Sequence, residues 1–455
     1  MAKYDLTPIA VPPVRTKYRT IRTKIPVPES VPLFEALAAS EPPSMAGQPP
    51  IVWHKAEGFT VEDKWGNRWI DWSSCVLVAN AGHGRAEIRE ALTRVVEQGL
   101  LASYVFVHEQ RAELAALLRD LSPDPGDYRV FLLSTGSEAT ENAIKLARTY
   151  ALEKCGPRRK VIVSFRNAFH GRTMGAQLAG GLDGQKRWIG GPDPSFIQVP
   201  FPDGYKNTNT DFGLFLATLK EHNMAPDEIA GVITETYQGV GPDFFPVEYA
   251  RRLAEFCGKH DIVLIFDEVQ AGFGRTGKMF GYEHYGIAPD LICCGKGISS
   301  SLPISAVIGR RKVMELYPPG AMTSTHSASP LPVAAAIANI KLITGEKLAE
   351  RAAEMERVLL PRLASVQSRY PDRLGCLHGK GLVAGIQVVR PGTKTPDPET
   401  ALAINVACLR RGVLMFAPVG VAGECLKIAP PLVIAEDALV ESAEAFGEAV
   451  DEVLG

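Results

Sequence analysis

The chain has 455 residues, 46% of them hydrophobic and 22% charged, with a formal net charge of -2. This composition supports a large core and two or three domains, and its charge balance gives no pull toward nucleic acid or an anionic membrane surface. No apolar run reaches the ~20 residues that span a bilayer, and eight scattered cysteines without a Cys-x-x-Cys pair suggest neither a zinc cluster nor a disulfide framework; a reducing cytoplasm is expected.

Residues 1–30 are proline-rich and basic, with Arg15, Lys17, Arg19, Arg22 and Lys24 spread among the prolines. They lack the apolar segment of a signal peptide, so an extended arm lying on the protein or on a partner subunit is expected, with a targeting or nucleic-acid-binding arm as the alternative. Cys75, Val76, Leu77, Tyr104 and Phe106 are candidates to shape side-chain pockets, and Trp72, Cys75 and Val76 suggest a mostly apolar wall, although such residues are more often core.

From residue 130 onward, short apolar runs alternate with helix-like segments. VFLLS (130–134), VIVSF (161–165), GVITE (231–235), IVLIF (262–266), DLICC (290–294) and SAVIG (305–309) read as strands. SEATENAIKLARTYAL after Gly136 and YARRLAEFCGKH (249–260) read as amphipathic helices, the first with Ala139, Ala143, Ile144 and Ala147 on one narrow face. Ser137 and Glu138 sit in the first turn of that helix, where an N-cap and an acidic residue suit its dipole. The alternation predicts an α/β fold with a mostly parallel sheet and helices on both faces. Beyond about residue 330, helical segments surround GKGLVAGIQVV and a late strand, LKIAPPLVI. The expected division is an N-terminal arm with part of a small domain over 1–75, a large domain over 76–328, and a small α+β C-terminal domain over 329–455.

Three features at strand ends carry chemistry. STGSEA (134–139) offers the N–H groups of Gly136 and Ser137 to a phosphate at a helix start, or merely caps the helix. Asp267 follows an apolar strand, where it either caps the next element or stands at the ligand-binding edge of the sheet. The same stretch holds Gly272, Gly274 and Gly277 in the dinucleotide-binding glycine pattern, but the glycines do not join the strand directly to a helix and no βαβ unit of the required length follows. Lys296 lies between two apolar strands, flanked by Gly295 and Gly297, as an exposed turn lysine or as a desolvated amine suited to a Schiff base. Together, a phosphate anchor, an acid for a pyridinium nitrogen and an imine-forming lysine are what pyridoxal phosphate requires.

With those residues in view, the chain resembles the class III (ω-) aminotransferases of pyridoxal-phosphate fold type I over nearly its whole length from about residue 50. STGSEATENAIKLAR resembles the family's phosphate-binding segment, AFHGRT its aromatic-His-Gly motif, ETYQG its Glu-x-x-Gln-Gly motif, DEVQAGFGRTG its most diagnostic stretch and CCGKGIS its lysine loop. The resemblance implies that Gly136 and Ser137 hold the phosphate, Phe169 stacks on the ring, Asp267 pairs with the ring nitrogen, Gln270 sits near the ring hydroxyl and Val269 packs on the ring face. Lys296 forms the Schiff base with the cofactor, and transamination from an amine or ω-amino acid to an oxo acid passes through a pyridoxamine-phosphate form. Thr325 in TSTHSASP matches a threonine that reaches the phosphate of the neighbouring subunit, which implies a homodimer with a shared site. His170 reads as a structural histidine and Gln238 as a residue that closes a turn. No metal, membrane or nucleic-acid partner is implied.

One departure stands out. Where most relatives carry a carboxylate-gripping arginine before the late Pro-Pro, ECLKIAPPLVI has Lys427, which keeps the charge but not the planar fork. Glu235 matches the family's gating glutamate, so a resting Glu235–Lys427 pair is expected. The substitution keeps open a lyase, racemase or decarboxylase on the same cofactor cradle, and, from another class, a non-catalytic cofactor-binding protein.

Overall fold

Runs of β-branched and aliphatic residues form strands buried on both faces, the pattern expected of a parallel sheet. The computed structural model describes residues 4–455; residues 1–3 of the expected arm lie outside the described residues. One unit comprises Ala86–Ala349, and a second is built from the described residues up to Arg85 together with Glu350–Gly455.

The larger unit holds a seven-stranded sheet of β1 (Tyr128–Leu133), β2 (Val161–Phe165), β3 (Phe196–Val199), β4 (Ile229–Glu235), β5 (Val263–Asp267), β6 (Leu291–Cys294) and β7 (Ser305–Arg310). Their order is β1-β7-β6-β5-β4-β2-β3, with β7 antiparallel to both its neighbours and the other pairings parallel. All six strands read from the sequence are present; the edge strand β3 was not anticipated.

Helix α1 (Gly136–Cys155) buries Ala139, Ala143, Ile144, Ala147 and Ala151 against β4, β6 and β7. Helix α2 (Val247–Lys259) packs on β5 and buries Tyr249, Leu253 and Cys257, one residue per turn. Side chains alternate along β5: Val263 and Ile265 join the core cluster that includes α1, while Phe266 meets the rings of Tyr282 and Tyr285. Helix α3 (Pro330–Gly345) packs on the helices Ala86–Gln98 and Glu109–Asp120 through Leu331, Ala334 and Ala338. Both unit boundaries fall later in the chain than expected, the second because α3 packs on those helices of the larger unit.

In the smaller unit, Arg68–Asp71, Thr60–Glu62 and Lys55–Glu57 form an antiparallel meander, to which Val413–Leu414 adds in parallel. A second sheet pairs Leu374–Lys380, Val383–Val388 and Cys425–Ile428. The late strand therefore stops at Ile428 rather than running through APPLVI, since Pro430 and Pro431 have no N–H to give a ladder. The basic arm lies along the helix Glu436–Leu454: Lys17 Nζ contacts Asp437 Oδ2 at 2.8 Å, and Arg19 Nε contacts Glu441 Oε1 at 2.6 Å.

Asp71 anchors an unusual turn in the same unit. Its Oδ1 accepts from the Ser73 N–H (2.7 Å) and hydroxyl (2.6 Å), while its Oδ2 accepts from His83 Nε2 at 2.7 Å. Ser74, Cys75, Val76 and Leu77 then run with φ between 47° and 62°, a left-handed turn without glycine, which costs roughly 1–2 kcal/mol per residue. Leu77 enters the core and Cys75 and Val76 stay exposed. Trp72 is core rather than wall, fully buried with Nε1 donating to Ser442 Oγ at 2.9 Å.

Candidate active site

The carboxyl ends of β1, β2, β4, β5 and β6 open into one cavity of about 230 Å³, the place where open α/β sheets gather ligands. On the β1 side, Thr135 is the N-cap of α1. Its Oγ1 accepts from the Glu138 N–H at 3.2 Å, and Glu138 Oε2 accepts from the N–H groups of Ser134 and Thr135 at 2.9 Å each. This capping box replaces the expected cap at Ser137, because the Thr135 hydroxyl and the Glu138 carboxylate satisfy each other's backbone. Gly136 and Ser137 line the cavity, and among the described residues nothing accepts from their N–H groups. Two uncommitted donors at a helix start suit an anion.

The opposing wall comes from adjacent parallel strands in register, which set Glu235 beside Asp267. Asp267 Oδ1 accepts from the Val269 N–H at 3.1 Å, and Oδ2 lies 2.8 Å from His170 Nδ1. A carboxylate only accepts, so Nδ1 carries the hydrogen. Among the described residues, His170 Nε2 is buried without a hydrogen-bond partner. Burial works against the charged imidazole, but the bond to Asp267 and the charges of Asp267 and Glu235 outweigh it and raise its pKa. Glu235 Oε2 accepts from the Phe169 N–H at 3.0 Å and Oε1 from the Gly239 N–H at 2.8 Å. Only glycine allows that approach: a Cβ on Gly239 would stand 2.6 Å from Gln270 Nε2 and 2.8 Å from Glu235 Oε1. Burial pushes the Glu235 carboxyl up to about 7, with His170 pulling it back and Asp267 pushing it further.

Lys296 follows β6 and Gly295, with its remaining surface on the cavity. Burial lowers the pKa of its amine, against the pull of Asp267 and Glu235, so more of it is uncharged and nucleophilic than for a solvated lysine. Phe169, Val269 and Gln270 complete the lining. Val269 lies against the α1 start so closely that a Cβ on Gly136 would fall 2.9 Å from its Cγ1.

The structure thus brings together Gly136, Ser137, Phe169, Glu235, Asp267, Val269, Gln270 and Lys296. It does not bring Thr325 to this wall; that residue is exposed on the stretch before α3. Lys427 belongs to the other unit, buried on Cys425–Ile428 opposite Gly385. His170, expected as a structural histidine, holds Asp267 through Nδ1. Gln238 closes a short hairpin as expected, and its Nε2 donates to Arg166 O at 2.6 Å. The glycine pattern 272–277 runs through turns and is followed by a 3-10 helix, Gly281–Tyr285, rather than an α-helix.

Residues 43–450 match the model of the class III aminotransferase family. The chain is 33% identical to a 4-aminobutyrate aminotransferase of Mycobacterium leprae over 93% of this chain and 96% of that protein. It is 34% identical to an acetylornithine aminotransferase of Methanothermobacter thermautotrophicus over 89% and 95%.

The chain belongs to the class III aminotransferases.

An amine transaminase structure from an uncultivated Pseudomonas species, with pyridoxal phosphate bound, superposes with a TM-score of 0.83 at 28% identity, covering 91% of this chain and 97% of that one. The aminotransferase is therefore a pyridoxal-phosphate enzyme of fold type I. Its residues fit that cofactor: two open N–H donors for a phosphate, a carboxylate for a ring N–H, an amine of lowered pKa for an aldehyde, and glycine where a side chain would crowd Val269.

The raised Glu235 carboxyl makes the cofactor-free aminotransferase pH-sensitive in a defined direction. Between its unfolded pKa near 4.3 and the folded value of about 7, the native state holds the proton that the unfolded state has lost. Stability from this group therefore falls as pH rises through that window. Glu235→Gln removes the titration, so the stability of wild type relative to the variant should fall by on the order of 2–3 kcal/mol from pH 4.5 to 7.5. Urea midpoints at the two pH values measure this, and a constant difference would show that Glu235 ionises freely.

Proposed function

We propose that this aminotransferase takes the terminal amino group of an ω-amino acid or amine and passes it to an oxo acid, with Lys296 as the cofactor-bearing lysine. The observation that carries the reading is that Lys296, Asp267 and the open N–H groups of Gly136 and Ser137 share one cavity. When bound, pyridoxal phosphate supplies an electrophilic aldehyde and a ring that withdraws electrons from the carbon being deprotonated. Gly136 and Ser137 hold its phosphate, Phe169 and Val269 enclose the ring, and Gln270 meets the ring hydroxyl. Asp267, oriented by His170 Nδ1–H, keeps the ring nitrogen protonated. Lys296 Nζ would hold the aldehyde carbon, and the same amine would be the base that carries the proton from the amine-bearing carbon of the donor to the cofactor.

Relatives named for 4-aminobutyrate and acetylornithine support a donor with its amine far from a carboxylate. Glu235 serves as the gating acid and Lys427 as the cation for a substrate carboxylate, a role resting on the resemblance of its sequence context. Lys427→Arg should raise the rate with glutamate; no change would remove Lys427 from the reading. A screen of amino donors tests the whole. A 4-aminobutyrate-type donor alone should bleach the yellow colour of the loaded enzyme, which an added oxo acid restores. A racemase or lyase would turn over the donor without that exchange.

The reading includes a homodimer in which the partner subunit's Thr325 completes the phosphate site. Phe106 and Val107 are 77% and 88% exposed beside exposed Leu100 and Leu101, an apolar surface that suits burial by a second copy. Tyr104 OH (2.9 Å to Thr323 Oγ1) and His108 Nε2 (3.0 Å to Ala328 O) tie it to the stretch carrying Thr325. Sedimentation of the loaded enzyme as a monomer would overturn this part. Among the described residues no helix is long and apolar enough to cross a membrane. All eight cysteines are free, in keeping with a reducing cytoplasm; a disulfide in protein isolated from its host would argue against that location.

A further inference from the structure

Lys296 has a φ of +41°, a backbone conformation that residues with a side chain rarely adopt. It opens a single 3-10 turn, Lys296–Ile298, in which the Ile298 N–H donates to Gly295 O at 3.0 Å. So short a turn has little stability of its own, and Gly297 and Ile298 are buried, so their carbonyls need partners inside the protein. One side chain supplies both. Asn339 Nδ2, in the middle of α3, donates to Gly297 O at 2.8 Å and to Ile298 O at 2.9 Å.

Asn339 is fully buried in a helix otherwise rich in Ala, Ile and Leu, and among the described residues its own Oδ1 has no hydrogen-bond partner. A buried, unsatisfied acceptor is unfavourable, and leucine would fill similar space without one. What asparagine alone offers here is two donors on one nitrogen. The other flank of the turn is closed by packing: a Cβ on Gly295 would stand 3.2 Å from Val269 Cγ1 and 3.5 Å from Gly136 Cα.

We propose that Asn339 is a positioning residue for the transamination lysine, its two Nδ2 hydrogens fixing the Lys296 turn and so placing Nζ in the cavity. The inference rests on Lys296 being the cofactor-bearing lysine. The charged and titratable groups around that amine are Asp267 at the end of β5, Glu235 at the end of β4 and His170 after β2. With these unchanged, a loosened turn admits water to Nζ and returns its proton affinity toward that of an ordinary lysine.

The test follows incorporation of pyridoxal phosphate into the cofactor-free full-length chain against pH, with borohydride trapping and peptide mapping. Wild type should be labelled at Lys296; labelling only elsewhere overturns the lysine assignment and this inference with it. Asn339→Leu should still be labelled at Lys296, but about tenfold more slowly, with the half-maximal pH raised by about one unit. Ile340→Ala, a cavity-forming change at a buried neighbour in the same helix, should lower Tm without moving that pH. If Asn339→Leu does not fold, Asn339→Ser enters the same comparison. An asparagine variant with the wild-type rate and half-maximal pH, or a shift that Ile340→Ala reproduces, overturns the proposal.

Discussion

Lys296→Ala is expected to fold normally and to lose transamination by at least about 10⁴-fold, because in the proposed function one amine both binds the cofactor aldehyde and moves the substrate proton. Added methylamine should restore part of the proton transfer but not the covalent attachment. The same position makes a separate stability prediction that needs no substrate. Burial lowers the Lys296 pKa, so below the folded pKa the native state carries an ammonium that water would solvate better. That destabilisation is complete below the folded value and fades as pH rises from there toward the unfolded value near 10.4. Cofactor-free Lys296→Met should therefore melt above wild type at neutral pH, with the gap closing toward alkaline pH. A gap independent of pH would mean that Lys296 is solvated, and activity retained by Lys296→Ala would place the chemistry elsewhere.

Asp267→Asn should fold, because its amide oxygen can still accept the Val269 N–H while its amide nitrogen donates to His170 Nδ1 once the ring proton moves to Nε2. What it loses is the negative charge that keeps a ring nitrogen protonated. Removing such electrostatic support lowers turnover by about 10²–10⁴-fold, and the cofactor should also dissociate faster, measurable by dilution of the loaded enzyme. Asp267→Asn with turnover within threefold of wild type would show that ring protonation does not depend on this carboxylate.

The parts legible from the amino-acid sequence share one physical cause. Strands buried on both faces leave uninterrupted apolar runs, so VIVSF is Val161–Phe165 and the other central strands differ from their expected ends by only a few residues. The edge strand Phe196–Val199 alternates partly buried and buried positions after a Gly- and Pro-rich stretch, and that weak pattern hid it. The α1 cap was readable, since Thr135-x-x-Glu138 is a capping-box spacing, but the neighbouring serine drew attention from it.

Within the site, the expected residues that share the cavity are those at or just after strand ends, where the fold itself dictates their convergence. His170 and Asn339 act through contacts 97 and 41–42 residues away. No local spacing encodes such contacts. Assignment of α3 to the larger unit depended likewise on its packing partners, which an apolar helix does not announce.

The smaller unit draws on both ends of the chain, with Lys17 and Arg19 clasped to a helix that begins at Glu436. During translation the body from Ala86 to Ala349 therefore has every strand it needs while the opening residues still lack their counterparts. Those residues must wait on the ribosome, their apolar faces uncovered, until Leu409, Leu414 and the first turns of the helix from Glu436 emerge. Chaperone demand for this enzyme should concentrate on the segment before Ala86 and be relieved once the residues from Leu409 to Glu441 are made.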